Sequence, residues 1–548
     1  MVLWPLLAVG AVRHDAVPAA LLLLVAAILV GRLSRHIAPV VGLAVGAYAT
    51  ICIGLAFYRF KLGDWLDLGL TLAMPDDTYH AVLLWLGVPL FTAVIAAMSV
   101  HAILYALAFT TVARAIDVPK WLAVAAVAFF FIAPPHRKLV LDTGTTDVTA
   151  NIKPLMTKEK YFVGPGESIF IVQLESLNGI AANGEYDKGD PQHLGSNDVM
   201  KRLAKNGIYM PHTWAHDIQT HRASEAFMCG AVRNLNAKNA IDQIDADCIP
   251  DVFREAGYRT VFLSSWFDEE FANKGDLMED MGYDDVRFAD SLMKRGDQQA
   301  LWGYDEVAFF RRAFEYLGKK YRADQPLLVH LAVCAHHAGF SRNREDDAEW
   351  FAVNRQKQIE IYLRSARKQD ASLQAFWDLY RRYTGENAHV FIFGDHSFPL
   401  GLYSAMLPHL GTTIDNFVTP MIYIPPKSRA AEFDLGKTIN TLHAHSDLPP
   451  TFVELVTRKP QANSLVPFFR KVPPASYEYE QCHVMAQPFG LPGLLIAHGN
   501  TAYRYQFMSE CVDRFNITYD PLRQHPAGRT CGVPFEKFDR QYTCARYR

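Results

Sequence analysis

The chain contains the apolar stretch Ile169-Phe170-Ile171-Val172-Gln173-Leu174-Glu175-Ser176, which ends abruptly in an acidic residue. A second apolar stretch ends in an acidic residue and a histidine, Phe391-Ile392-Phe393-Gly394-Asp395-His396-Ser397. Open α/β sheets place their functional side chains at the carboxyl ends of buried strands. The two stretches therefore predict an α/β domain with Glu175, Asp395 and His396 at one edge of its sheet.

Apolar, β-rich runs alternate with helix-like stretches from about residue 160 onward. Buried strands are predicted at 168–174, 259–264, 327–334, 390–393 and 418–424, and helices at 196–205, 249–256, 304–319 and 352–382. This alternation is typical of a mostly parallel sheet covered by helices on both faces. A turn and a final helix at 447–455 predict that the domain ends near residue 470.

The first quarter of the chain is far more apolar than the rest. Apolar stretches lie at roughly 17–31, 39–58, 81–112 and 121–135, with a shorter one at 2–12. A spanning helix needs about 20 apolar residues, so residues 1–136 predict four or five transmembrane helices rather than a cleaved signal peptide. If the basic loops containing Arg32, Arg35, Arg114 and Lys120 are cytoplasmic, everything after residue 136 lies outside the cytoplasm.

The cysteines also indicate an exported domain, because only Cys52 of the eight lies in a predicted span. The predicted disulfides are Cys229 with Cys248 and some pairing among Cys482, Cys511, Cys531 and Cys544. Cys334 lies in an apolar run and is predicted to be the odd, free thiol. For Cys229 and Cys248, free buried thiols are the alternative. A net charge of −3 argues against a nucleic-acid partner.

Carboxylate and imidazole side chains held by rigid strands are suitable ligands for a divalent cation. Asp395 and His396 are adjacent at a strand end, where two ligand-type residues have no packing purpose, although Asp395 alone would suit a helix cap. Thr220 becomes a nucleophile at neutral pH if a cation coordinates its hydroxyl. It also suits the N-cap of a helix, and Ser224, one turn further on, is the rival nucleophile.

Several motifs in order give the chain a family resemblance over roughly residues 165–455. Thr220 precedes Cys229-Gly230, and the segments 248–258 and 271–284, Trp302-Gly303 with Asp305, and His336-His337 follow. In this pattern the chain resembles the membrane-bound phosphoglycerol transferases of the alkaline phosphatase/sulfatase superfamily. It is most similar to the transferases that decorate osmoregulated periplasmic glucans, and more distantly to lipoteichoic acid synthases.

The resemblance implies a fold, a site and a location. The fold is an N-terminal helical transmembrane bundle (1–136) and a linker (137–160), followed by an alkaline phosphatase-like domain (161–470) in the periplasm. The sequence itself predicts a Cys-containing appendage (471–548), which has no counterpart in that resemblance. The implied ligands of one divalent cation, usually Mn²⁺ with Zn²⁺ or Mg²⁺ as alternatives, are Glu175, Thr220, Asp395 and His396. His336 is implied to serve the leaving oxygen. The implied substrate-binding residues are Lys274, Trp302, Asp305 and His337.

The implied reaction moves phosphoglycerol from phosphatidylglycerol, through a covalent phospho-Thr220 intermediate, to a glycan or glucan acceptor, and it releases diacylglycerol. The partners are thus a bilayer of the bacterial inner membrane, a phospholipid donor and a glycan. Phosphoethanolamine transfer to lipid A or a glycan is one alternative, and a catalytically silent membrane scaffold or sensor is another. Sulfatase activity is not expected, since no Cys/Ser-x-Pro-x-Arg context surrounds Thr220.

Overall fold

The computed structural model describes Val100 and residues 167–542, except for 184–197, 217–219, 231–247, 268–273, 301, 323–324, 338–339, 341–354, 398–416, 441–442, 473–478, 488–492, 507–510, 520–521, 534–536 and 538–540. The predicted transmembrane helices of residues 1–136 and the linker 137–160 lie outside the described residues, apart from Val100. None of the helices in the described part is both long enough and apolar enough to cross a membrane.

An eight-stranded sheet lies at the centre of the unit Val148–Arg548. Its strands are β1 (Ile169–Leu174), β2 (Ile208–Trp214), β3 (Arg259–Ser264), β4 (Asp285–Arg287), β5 (Leu327–Ala332), β6 (His389–Gly394), β7 (Val418–Ile424) and β8 (His443–Ala444), in the order β4-β3-β5-β1-β6-β7-β2-β8. Strands β4, β3, β5, β1 and β6 are parallel to one another, whereas β7 is antiparallel to β6 and β2. The predicted mostly parallel sheet is confirmed.

The helices of this unit are α1 (Gly179–Asn183), α2 (Asp198–Ala204), α3 (Thr220–Cys229), α4 (Ile249–Glu255), α5 (Lys274–Asp280), α6 (Ala289–Leu292), α7 (Glu306–Lys320), α8 (Arg355–Thr384), α9 (Leu448–Thr457) and α10 (Val466–Phe469). Each predicted strand and helix is present within a few residues of its predicted bounds, and β3 and β7 have the predicted bounds themselves. The sequence prediction missed β2. Pro211 lacks the N–H that a ladder needs, and the β2–β7 register shifts between Met210 and Thr213.

Both faces of the sheet are covered, as predicted. Phe170 of β1 packs on one face against Phe314 of α7 and Tyr380 of α8, with ring centroids 6.1 and 5.5 Å apart. On the other face, Phe393 of β6 packs against Phe227 of α3 at 5.0 Å. Helices on both sides explain why all the residues of β1 and β6 are buried.

The C-terminal tail forms a second sheet, which the sequence prediction left without an assigned structure. Its antiparallel strands are β9 (Cys482–Gln487), β10 (Gly493–His498), β11 (Thr501–Gln506), β12 (Cys511–Tyr519) and β13 (Leu522–Thr530). Met485 and Leu495 of this sheet join a buried cluster with Trp214 and Val418 of the central sheet. The tail therefore packs on the catalytic domain at its β2 side.

The cysteine predictions are confirmed where the structure describes them. Cys229 at the end of α3 is bonded to Cys248, which directly precedes α4. Cys511 and Cys531 form a disulfide in the C-terminal sheet. Cys334 is a buried free thiol. The first disulfide ties the end of the helix that begins at Thr220 to the next helix, so it limits the motion of the candidate nucleophile.

Candidate active site

Three candidate cation ligands converge at the carboxyl ends of two neighbouring strands. β1 and β6 pair in parallel up to Leu174 and Gly394, so Glu175 and the pair Asp395-His396 leave the sheet side by side. One ligand atom from each of these three residues lies within 4.8 Å of the others. His396 Nε2 lies 3.2 Å from Glu175 Oε1 and 3.8 Å from Asp395 Oδ2. The convergence follows from strand register.

Asp395 is held by hydrogen bonds to both of its oxygens. The backbone amides of Ser176 and His396 donate to Oδ1 at 3.0 and 2.7 Å. Gln173 Nε2 donates to Oδ2 at 2.9 Å, and Gln173 Oε1 lies 2.8 Å from His330 Nε2. These contacts orient the carboxylate before any ligand arrives. They place Asp395 in the site, whereas the alternative of a helix cap concerns residues 398–416, which lie outside the described part of the chain.

Thr220 is the first residue of α3, as the sequence indicated, and its hydroxyl faces two of these side chains, Glu175 and His396. Thr220 Oγ1 lies 3.2 Å from Glu175 Oε2 and 3.2 Å from His396 Nε2. The hydroxyl of Ser224 instead donates to the Thr220 backbone carbonyl at 2.8 Å. Geometry therefore favours Thr220 over Ser224 as the nucleophile. Thr220 lies at the start of α3, and the N-terminus of a helix favours a negatively charged ligand.

The charges of the site perturb one another. Burial alone would raise the pKa of Glu175, but its hydrogen bond to His396 and the charge of that imidazole lower this pKa below its ordinary value. Burial and the charge of Glu175 raise the pKa of Asp395. Burial acts to lower the pKa of His396, yet attraction to Asp395 and Glu175 raises it to about 9. The carboxylates thus favour positive charge, and a metal ion would displace a proton from His396.

The donor set fits a divalent cation. Two carboxylates, one imidazole nitrogen and the Thr220 hydroxyl surround one small buried region, and such ligands suit Mn²⁺, Zn²⁺ or Mg²⁺. These residue types do not distinguish between the three metals.

Beside the cation ligands lies a wall of one lysine and three ring systems, which we call the aromatic wall: Trp266, Lys274, Trp302 and His337. Lys274 Nζ lies 5.2 Å from the Trp266 ring centroid. The His337 ring is 5.0 Å from Trp266 and 4.7 Å from Trp302. Lys274 and His337 also both act electrostatically on Glu175. The structure therefore brings three predicted substrate-binding residues together, next to the cation ligands.

The two adjacent histidines differ in environment. His336 is 0% exposed and packs against Phe340 and Tyr362, with ring centroids 4.9 and 4.6 Å apart. His337 is only partly buried and belongs to the aromatic wall. The position of His337 suits its predicted contact with substrate, whereas His336, which the sequence prediction assigned to the leaving oxygen, packs against two aromatic rings.

Asp305 caps a helix. Its carboxylate accepts hydrogen bonds from the backbone amides of Val307 and Ala308, at 3.0 and 3.4 Å, at the start of α7. An N-cap of this kind stabilises a helix by about 1 kcal/mol. Asp305 therefore has a structural role beside Trp302, and its predicted contact with substrate remains a prediction.

Comparison with known proteins identifies the family to which the chain belongs. The family model described as Sulfatase matches residues 168–457, which is more than half of the 548 residues. The chain belongs to the sulfatase family. The wider alkaline phosphatase superfamily consists of metal-dependent hydrolases and transferases that act on phosphate and sulfate esters. No curated protein matches the chain significantly.

Three solved structures of the superfamily are similar to this sulfatase-family chain, and the one with a TM-score of 0.50 shares its fold. Lipoteichoic acid synthase LtaP from Listeria monocytogenes is 15% identical with a TM-score of 0.50, covering 70% of this chain and 91% of its own. An alkaline phosphatase superfamily protein from Vibrio parahaemolyticus is also 15% identical, with a TM-score of 0.49 and coverages of 73% and 90%. The periplasmic domain of EptC from Escherichia coli, solved with Zn, is 12% identical, with a TM-score of 0.44 and coverages of 62% and 93%.

Some residues of this sulfatase-family site were missed by sequence reasoning. Gln173 orients Asp395, and a polar residue in an otherwise apolar strand was the available signal. Trp266 forms the centre of the aromatic wall, and it follows the carboxyl end of β3 as Glu175 follows β1. Ser176, with a positive φ of 53°, makes the turn that brings its amide to Asp395. Position at a strand end would have identified the last two.

Proposed function

We propose that this protein transfers phosphoglycerol from phosphatidylglycerol to an extracytoplasmic glycan, through a covalent phosphoglyceryl-Thr220 intermediate. One observation carries the proposal: the Thr220 hydroxyl lies 3.2 Å from both Glu175 Oε2 and His396 Nε2. A cation bound by Glu175 and His396 would therefore lie next to the Thr220 hydroxyl, which is the proposed nucleophile. A threonine in this position supports transfer through a phosphorylated enzyme.

The first half-reaction forms a bond between Thr220 Oγ1 and phosphorus and breaks the bond between phosphorus and the diacylglycerol oxygen. A cation bound by Glu175, Asp395 and His396 would lower the pKa of the Thr220 hydroxyl and neutralise charge on the phosphoryl oxygens. One proton moves overall from Thr220 to the departing diacylglycerol. In the second half-reaction an acceptor hydroxyl takes the phosphoglycerol group, and Thr220 regains a proton.

The charge of the site suits a phosphodiester. Glu175 and Asp395 bring two negative charges, which a divalent cation balances. Lys274 then remains to balance one further negative charge, and its electrostatic attraction to both carboxylates places it near them. A phosphodiester carries one negative charge and a phosphomonoester carries up to two at neutral pH. The balance favours a phosphodiester donor over a phosphomonoester.

We assign the proton donor for the leaving oxygen to His337 rather than to His336. The ring of His337 lies between Trp266 and Trp302 and its charge acts on Glu175. The ring of His336 is enclosed by Phe340 and Tyr362. A general acid must come within hydrogen-bond reach of the oxygen that it protonates, and the position of His337 suits that requirement better.

The proposed location follows from the donor. Phosphatidylglycerol stays in a bilayer, and the four or five transmembrane helices predicted in residues 1–136 would anchor the domain beside it. Disulfides persist in oxidising compartments, and Cys229–Cys248 and Cys511–Cys531 agree with a periplasmic domain. Membrane attachment and periplasmic location are parts of this proposal.

The test is to incubate the full-length, detergent-purified protein with Mn²⁺ and head-group-labelled phosphatidylglycerol or phosphatidylethanolamine, followed by intact mass and peptide mapping. We expect a phosphoglycerol adduct on Thr220 and release of diacylglycerol, both abolished by EDTA. A phosphoethanolamine adduct would show that the donor is phosphatidylethanolamine rather than phosphatidylglycerol. No adduct and no diacylglycerol with either lipid would refute the transferase and support the silent scaffold.

A further inference from the structure

We infer that Trp266 and Lys274 form a head-group filter, which accepts an uncharged polyol and rejects a donor with an ammonium group. The inference rests on the proposed function, because it concerns the donor of that transfer. It assigns a specificity-determining role to Trp266, a residue outside the cation-binding set. The two side chains act together, so neither is sufficient alone.

Lys274 is an unusual lysine. It is 4% exposed, and within the described part of the chain its Nζ has no hydrogen-bond partner. The ammonium instead lies 5.2 Å from the Trp266 ring centroid and 6.0 Å from that of Phe262. Burying an ammonium without a hydrogen bond is costly, and burial lowers the pKa of Lys274, while the attraction of Glu175 and Asp395 opposes that shift. The two aromatic faces also stabilise the charged form. An anion that binds here gains a direct partner.

The filter lies within electrostatic reach of the cation ligand Glu175. Within the aromatic wall, the ring centroid of His337 lies 5.0 Å from that of Trp266 and 4.7 Å from that of Trp302. Lys274 and His337 both act on the charge of Glu175. A phosphoryl group bound at Thr220 would therefore have its head group beside these rings.

Close packing around Gly303 and Ser265 holds Trp302 and Trp266 of the aromatic wall in place. Gly303 has no room for a side chain, because an added Cβ would lie 2.1 Å from the Ser265 carbonyl oxygen. Ser265 Oγ donates to Cys334 Sγ at 3.1 Å, and Cys334 Sγ lies 3.6 Å from the Trp302 carbonyl oxygen. Trp302 is thus packed directly against the segment that carries Trp266. A fixed wall discriminates better than one that can adapt.

Selection follows from charge. Aromatic faces ordinarily attract an ammonium group, but here the Trp266 face already carries the Lys274 ammonium. A second positive charge about 5 Å away would be repelled strongly in a buried site. The carbon atoms of a glycerol group can pack on the rings without this penalty. We expect at least about a tenfold preference for the polyol head group, from one like-charge contact of this kind.

The first measurement is binding, which does not depend on transfer. Intrinsic tryptophan fluorescence of the full-length protein with Mn²⁺ is followed during titration with glycerol 1-phosphate or phosphoethanolamine. We expect wild type to bind glycerol phosphate at least about tenfold more tightly. In Lys274→Met, which keeps the length of the side chain, the two affinities should become equal within about threefold. Equal affinities in wild type, or an unchanged ratio in the variant, would overturn the filter.

The second measurement compares adduct formation on Thr220 from phosphatidylglycerol and phosphatidylethanolamine in the same proteins. Lys274→Met should lower the ratio of the two rates at least about tenfold, whereas Lys319→Met, an exposed lysine on α7, should leave it unchanged. Selective binding without any adduct would refute the proposed transfer and leave the filter standing. Adducts formed equally from both lipids in wild type would refute the filter and leave phosphoryl transfer standing.

Discussion

Replacing Thr220 by alanine removes the atom on which the proposed intermediate forms. The lost contacts are long, 3.2 and 3.5 Å to the two Glu175 oxygens and 3.2 Å to His396 Nε2. The free energy of unfolding should therefore change by less than about 1 kcal/mol. Transfer should fall by at least about 10⁴-fold, as for other enzymes that lose a nucleophile. The fold and the reaction are thus expected to respond very differently to one substitution.

The assay measures diacylglycerol release together with the mass of the protein. Thr220→Ala should give neither product nor adduct and should keep the melting temperature of wild type. Thr220→Ser is the matched control, because it keeps the hydroxyl and loses only a methyl group. It should form an adduct at the same position with a rate within about a hundredfold of wild type.

Two other hydroxyls define the result that would contradict this reasoning. Ser176 Oγ donates to Glu175 Oε1 at 2.8 Å, and Ser224 Oγ donates to the backbone carbonyl of Thr220 at 2.8 Å. If Thr220→Ala still formed an adduct, peptide mapping would locate it on one of these serines. The assignment of the nucleophile would then be wrong, although the cation ligands would still stand.

Three further outcomes are expected. His337→Gln should lower kcat at least about tenfold and flatten the alkaline limb of the pH–rate profile, because a proton donor is lost as the pH rises, whereas His336→Gln should mainly lower the melting temperature; the reverse pattern would return the acid role to His336. Burial acts to raise the pKa of Asp285, but hydrogen bonds from Lys320, Tyr321 and Tyr316 lower it below its ordinary value. The free energy of unfolding should therefore fall as the pH drops below the ordinary Asp range and through the lowered pKa, and urea titrations should show a weaker pH dependence there for Asp285→Asn. Loss of the Cys229–Cys248 disulfide, which closes a separation of 19 residues, should lower the free energy of unfolding by about 3 kcal/mol; calorimetry of the double serine variant would show no change if the bond is dispensable.

Much of the central fold was predictable because buried strands have a strong local signature. β3 and β7 have the predicted bounds, and both consist largely of apolar and β-branched residues. β2 has no such signature, since Pro211 and His212 interrupt it. Its partners β7 and β8 lie far along the chain, so only tertiary pairing makes it a strand.

The candidate cation site was also predictable, since acidic and imidazole side chains at the ends of apolar strands have few other uses. Glu175, Asp395 and His396 converge because β1 and β6 are neighbours in one parallel sheet. The choice between Thr220 and Ser224 was open until the helix α3 was placed. One hydroxyl faces the cation ligands and the other faces the helix backbone.

By itself, the sequence determined the apolar strands, the residue types that can bind a cation, and the cysteines suited to an oxidising compartment, because each depends on local composition and order. Only the tertiary structure decided which of His336 and His337 lies in the aromatic wall. It also decided that the ammonium of Lys274 lies over the ring of Trp266. Adjacent residues in a turn can point in opposite directions, and side chains far apart in the chain meet only when strands and helices pack. Such contacts depend on packing and register, which no local pattern specifies.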